Sequence, residues 1–261
     1  YRKGLFKASL AKTTKASSMA RRLGKDILLL DAIHTERQTL RVYSSLNQSR
    51  ELLMKNYDEE TEVLERLNNI SIYKKLLDEL IIMATASGPA ATEKETRQFE
   101  NLLKRRELSD ESLAICTHSK ILFHQIVSFA MMLRGGGLEE SLEHTYKTIE
   151  LIESAGDGKR SYPYEYISSR QNTILAELYR NGFEAASKAA AELKSEEDTL
   201  LGSSPAKVRN FLKIRTLSCE INMNMTCGEH ERNSRLVEEE IMYCEANRNN
   251  TYRDEEIVTW N

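Results

Sequence analysis

Cysteine and histidine are the side chains through which this sequence could bind a metal or run nucleophilic chemistry, and it holds four of the first and five of the second. Cys219, Cys227, His230 and Cys244 make the one metal-like group, since thiolate and imidazole are zinc ligands and the two-residue gap between Cys227 and His230 suits one end of a tetrahedral site. A structural zinc site takes two such tight pairs. Cys219 and Cys244 instead fall deep in separate helical stretches, where cysteine serves as a small hydrophobe, so no metal is expected. A Cys–His catalytic pair needs contact, yet Cys116 and His118 stand two apart on a helix and diverge, and His34 with Glu36 fails for the same reason. His118 and His124 flank a strongly apolar helix, with Cys116 close by. His144 sits among Glu139, Glu140 and Glu143, a setting that predicts a surface ion pair. Gly135, Gly136 and Gly137 could cradle an anion before a helix, but Glu139 and Glu140 repel one, so a plain turn is expected. Phosphate-binding loops, nucleophile elbows and the His-Glu-x-x-His zinc motif do not occur in the sequence. Catalysis is not expected, and neither is a cofactor.

The elements that position these residues read as helices. Apolar residues recur at helical spacing along almost the whole chain, with breakers between the stripes. The spacing predicts helices over 25–47 (Ile27, Leu30, Ile33, Leu40), 49–68 (Leu52, Leu53, Val63, Leu64, Leu67) and 70–86 (Ile72, Tyr73, Leu76, Leu80), the last stopped by Gly88 and Pro89. A polar helix over 92–106 carries Phe99, Leu102 and Leu103. Helices over 110–134 and 138–155 flank the triple-glycine turn, and those over 162–181 and 183–197 meet at Gly182. Ser204 and Pro205 read as the cap and first position of a helix reaching about Thr226, followed by a partner over 230–247.

Composition agrees with that class. Of 261 residues 40% are hydrophobic and 30% charged, with 37 basic and 40 acidic side chains and a net charge of −3, which argues against disorder. Three Pro and 11 Gly are too few for an all-β chain that turns every few residues. The longest apolar runs fall far short of a membrane span, which needs roughly 20 residues. Sparse cysteines and the lack of a hydrophobic signal core point to a reducing, cytoplasmic environment, although the chain begins at Tyr1 and a fragment of something longer is credible. The first 25 residues hold eight Lys or Arg and no acid, whereas residues 219–261 hold ten acids and four bases. Residues 1–24 therefore read as a basic N-terminal helix, which could be a transit peptide, a nucleic-acid arm, a membrane-surface helix or a solvated face, and a basic head with an acidic tail allows self-association.

The first helices of successive pairs begin near 25, 70, 111, 161, 204 and 251, a near-constant interval that predicts a helical-hairpin repeat array over 25–261 with about five helix pairs. Two of its turns resemble the tetratricopeptide repeat. In residues 128–152 a glycine turn is followed by Leu138 and, three positions later, the small Ser141; in residues 174–193 Gly182, Phe183 and Ala186 take the matching places. Small residues let antiparallel helices approach, and the apolar residue wedges the turn. Phe129 and Ile174 stand where the family has a small glycine, Gly228 alone matches in the next hairpin, and the interval exceeds the family's roughly 34 residues, so longer HEAT-type hairpins are the near alternative. The stronger likeness covers 110–250. It implies an all-α solenoid whose first helices line a concave, partner-binding surface, with Phe123, Ile126, Gln171, Leu175, Leu217 and Ile221 near the inner face. That mostly apolar set suits an amphipathic helix. The function expected is a non-enzymatic scaffold or adaptor for a protein or peptide segment; the alternative is a nucleic-acid-associated or regulatory module using the basic N-terminal helix.

Overall fold

The computed structural model describes residues 2–43, 46–87, 92–134, 137–195 and 205–247, and among them all regular structure is helical, with no strand. No helix among the described residues is long and apolar enough to cross a membrane. The predicted helix start near 251, the Ser204 cap, Gly88, Pro89, Gly135 and Gly136 lie outside the described residues. Two compact units divide the chain, residues 1–74 and 75–261.

In the first unit, α1 (Arg2–Arg22) and α2 (Asp26–Tyr43) pack as an antiparallel pair. The turn between them requires Gly24, whose φ of +61° is left-handed and costs glycine nothing. The third element is the start of α3 (Leu46–Ser87). Leu29 and Ile33 of α2 bury against Ala20 of α1 and Val63 of α3, with Leu30 and Leu67 packed on that cluster. Charges fix the register: Arg21 pairs with Glu59, Arg66 with Asp26 at 2.6 Å, and Arg37 reaches Glu60 with both arms of its guanidinium. Arg37 is itself buried and lies 4.5 Å from the Tyr57 ring centroid, so its cation is held on two sides. The bond to Arg37 holds the Glu60 carboxyl below the usual carboxylate range, and the same bond pushes Arg37 up.

The helices predicted over 49–68 and 70–86 are one. Asn68 and Asn69 do not interrupt it, because the buried stripe continues through Val63, Ile70, Tyr73, Leu76 and Leu80 in steps of three, four and seven residues. A hairpin starting at 70 therefore does not exist, and the first three helices do not repeat at the predicted interval. Ile27, placed on the apolar side of its helix by the sequence pattern, is 67% exposed.

The second unit takes residues 75–87 of α3 and then α4 (Glu93–Leu103), which opens on a capping box. Thr92 Oγ1 accepts from the Glu95 amide and Glu95 Oε2 accepts from the Thr92 amide at 2.6 Å, so two amides that a helix start leaves without partners are satisfied together. A short α5 (Arg106–Ser109) and a 3₁₀ turn (Glu111–Leu113) precede α6 (Thr117–Arg134). The helix predicted from 110 starts late because Asp110 Oδ1 accepts from the Ser112 amide at 2.9 Å, an Asx turn that competes with the helix. Beyond it come α7 (Leu138–Ser154), the single-turn α8 (Gly158–Ser161), α9 (Pro163–Asn181), α10 (Phe183–Ser195), α11 (Ala206–Cys227) and α12 (His230–Ala246).

Packing follows chain order: α4 lies on α6, α6 on α7, α7 on α9, α9 on α10 and α11, α10 on α11, and α11 on α12. One apolar cluster runs from Ile121 of α6 through Ile149 and Ile152 of α7, Tyr166, Ile167 and Ile174 of α9, Ala186 and Leu193 of α10, to Phe211, Leu212 and Met223 of α11. Gly158 is required at the α7–α8 turn, since a Cβ there would collide with the Ile152 carbonyl. Two pairs are also closed by polar side chains. Across α6 and α7, Ser128 hydrogen-bonds Ser141 and Thr145, each at 2.9 Å, fully buried. Across α11 and α12, Tyr243 donates to Asn210 at 2.7 Å, Ser218 to Glu240 at 3.0 Å, and Asn233 to the Ile221 carbonyl at 3.1 Å. Burial raises the Glu240 carboxyl, against the pull of that Ser218 bond and of Arg215.

Candidate functional site

The six residues predicted on a concave face are mostly core. Ile126 is fully buried, and Phe123, Gln171 and Leu217 are buried as well; Leu175 and Ile221 are half-buried. A partner could touch the last two without unfolding the chain, but not the first four. The cause is register: α6 packs between α4 and α7, so little of its circumference faces water. Of the turn residues, Ser141 and Ala186 are buried, whereas Phe183 is 43% exposed.

His144 does not make the predicted surface ion pair. It is half-buried and faces His124 across α6 and α7, Nδ1 to Nδ1 at 2.8 Å. His124 is 1% exposed, stacks edge-on against Phe123 and turns Nε2 toward Glu111 Oε1 at 3.5 Å. A proton on Nε2 satisfies Glu111, which leaves Nδ1 of neutral His124 as acceptor and His144 Nδ1 as donor. Burial lowers the His124 pKa to about 4, only partly offset by Glu111, and burial also lowers that of His144. A ring with both nitrogens engaged in the protein interior has no lone pair to offer a substrate. The pair zips α6 to α7.

Two of the four thiols are held in the packing, while Cys227 is exposed. Cys219 is buried and its thiol pushed up to about 12 by desolvation, so it is inert as a nucleophile. Cys116 Sγ lies 3.3 Å from Ser119 Oγ, and His118, its neighbour in sequence, packs instead on Tyr162 and faces Glu165. Among the described residues no three His, Cys, Asp or Glu side chains gather as a metal would require.

What the sequence pattern missed is a trough on the first unit, between α1 and α2. Thr13, Ala16 and Ala20 of α1, Leu23 of the turn that follows it, and Leu28, Ala32 and Thr35 of α2 line it, with Met19, Lys25 and Asp31 at its edges, and it encloses about 450 Å³. The steps 13–16–20–23 and 28–32–35 are those of one stripe on each helix. Its floor is alanine and threonine, residues that carry little hydrophobic signal, which is why no apolar periodicity exposed it. Met19 is 52% and Leu28 59% exposed, so its walls are apolar and wet. The only advance sign was the run of small residues at helical spacing beside a basic stripe.

Compared with known proteins, the chain matches no family model, no curated protein and no solved structure.

Proposed function

We propose that the chain is a non-enzymatic helical-hairpin repeat scaffold that binds a protein or peptide segment. One observation carries this: in the second unit a single apolar cluster runs through two successive helix pairs and the first helix of a third, whose second helix, α12, packs on α11. The long helices that open those pairs start at Thr117, Pro163 and Ala206, a roughly 45-residue interval of the kind longer helical hairpins show. Such stacking buries each hairpin's apolar face on the next and leaves side surfaces for partners. The tetratricopeptide likeness of the turns belongs to the same proposal, as does a cytoplasmic location, which four free thiols suit. Partner binding is tested by retention of a native-extract protein on the immobilised chain. Retention lost in Leu175→Asp with Ile221→Asp, or in Met19→Asp with Leu28→Asp, at unchanged helicity, supports a scaffold and says which surface is used. No retained protein with either pair intact removes the proposal.

A second reading, a nucleic-acid-associated module, has one observation behind it: α1 is a formed helix on which Lys7, Lys12, Lys15 and Arg22 are exposed. Steeply salt-dependent duplex binding that vanishes with residues 1–25 would favour it.

A further inference from the structure

We infer that the trough between α1 and α2 is the docking site for one acidic amphipathic helix of a partner protein, an inference that rests on the scaffold reading and names the partner's chemistry. The first unit has two faces. On one, Leu29 and Ile33 of α2 are covered by Val63 of α3. On the other, α1 and α2 present an open furrow floored by Ala16, Ala20 and Ala32 and walled by Met19 and Leu28. Alanine floors allow a third helix to sink between two others, and apolar walls give it two rows of side chains to interlock with. The lining from Thr13 of α1 to Leu23 in the turn just after it spans about 15 Å at 1.5 Å per residue, which matches about three turns of an incoming helix.

Charge selects the occupant. No acidic residue occurs in α1. Lys12, Lys15 and Arg22 are exposed, each one position before a lining residue, so they form the stripe bordering the furrow, and Lys25 lines its end. Asp31 edges the α2 side. The complementary ligand therefore carries leucine or methionine at steps of three and four, Glu or Asp on the flank facing α1, and a single Lys or Arg on the flank facing Asp31. A lipid surface would require apolar side chains on a convex face, whereas these form a hollow. Phosphate groups would use the basic stripe but leave the apolar furrow unfilled. A symmetric second copy would bring α1 against α1, seven like charges on each, and a copy docking through its acidic C-terminal residues is the dimer that the binding test separates.

The test is fluorescence polarisation of the intact chain with a labelled synthetic helix of about three to four turns built to that pattern. A twin peptide with every Glu changed to Lys is the control. Expected are saturable binding that weakens with salt, a loss of roughly tenfold or more for the Lys twin, and a comparable loss in Met19→Glu with Leu28→Glu. Both positions are more than half exposed, so that variant keeps its helical spectrum. Lys12→Glu with Lys15→Glu should weaken the acidic peptide and improve its twin. Equal affinity for both peptides, or a Met19 and Leu28 variant that binds like the parent, overturns the inference. So does binding only to anionic vesicles or duplex DNA, or concentration-dependent dimerisation that the peptide does not compete with. If the peptides fail while an extract protein is still lost on Leu175→Asp with Ile221→Asp, the trough is wrong and the scaffold stands.

Discussion

Acidification should weaken the α6–α7 pair, starting above the pH range in which most carboxylates take up protons. In the folded chain His124 holds a pKa of about 4, against about 6.5 when the chain is unfolded. Because the lowered value belongs to the folded state, the unfolded chain binds the proton more readily between those values. Stability is therefore complete above about pH 6.5, falls with decreasing pH, and has lost this contribution near pH 4. At 1.36 kcal/mol per pKa unit the full effect is about 3 kcal/mol, of which about 2 kcal/mol goes between pH 6.5 and 5. His144, lowered in the same direction, adds to it, while Glu111 opposes. Once one proton has settled on the pair, a second sets two N–H groups against each other across 2.8 Å. The assay is urea unfolding followed by helical ellipticity, parent against His124→Gln, which cannot charge, at several values from about pH 7 to about pH 5. The parent's stability should fall through that window by up to about one extra proton's worth, about 1.4 kcal/mol per pH unit, relative to the variant. Parallel profiles for the two proteins would refute the buried histidine pair.

Three further outcomes follow from single contacts. Arg37→Ala leaves Glu60 in a half-buried site without its guanidinium partner and should cost the first unit about 3 kcal/mol by chemical denaturation. Gly182 sits at φ +84° and ψ −172°, a region other residues scarcely enter, so Gly182→Ala should cost about 1–3 kcal/mol although space for the methyl is open. Glu240→Gln should raise stability at neutral pH and flatten its pH dependence, because the buried carboxyl's raised pKa penalises the charged form and that penalty is relieved as pH falls; unchanged melting at both neutral and mildly acidic pH would count against it.

Helical periodicity made most of the fold legible. The stripes for α4, α7, α9, α11 and α12 lie within a few residues of their observed bounds, since apolar spacing survives wherever one face is buried. It failed where the deciding signal was not hydrophobic. The pattern divided residues 49–86 into two helices at 68–70, yet no residue there opposes helix continuation, and α3 runs through. His144 looked like a surface residue because its sequence neighbours are glutamates, whereas its ring turns inward to an imidazole twenty residues away. Of the concave set, four residues proved to be core because a helix gripped on two sides has no single inner face. The trough was least legible of all, being made by the absence of large side chains at Ala16, Ala20 and Ala32 together with two apolar walls on different helices.

Removing α11 and α12 by ending the chain after residue 204, then following amide exchange in α6 and α7, probes the stacked-hairpin architecture most directly. Hairpins that lean only on their neighbours should keep the buried amides around Ile126 and Thr145 protected, with loss confined to α9 and α10. Collapse of protection throughout α6 and α7 would show instead one indivisible core, and would contradict a repeat scaffold.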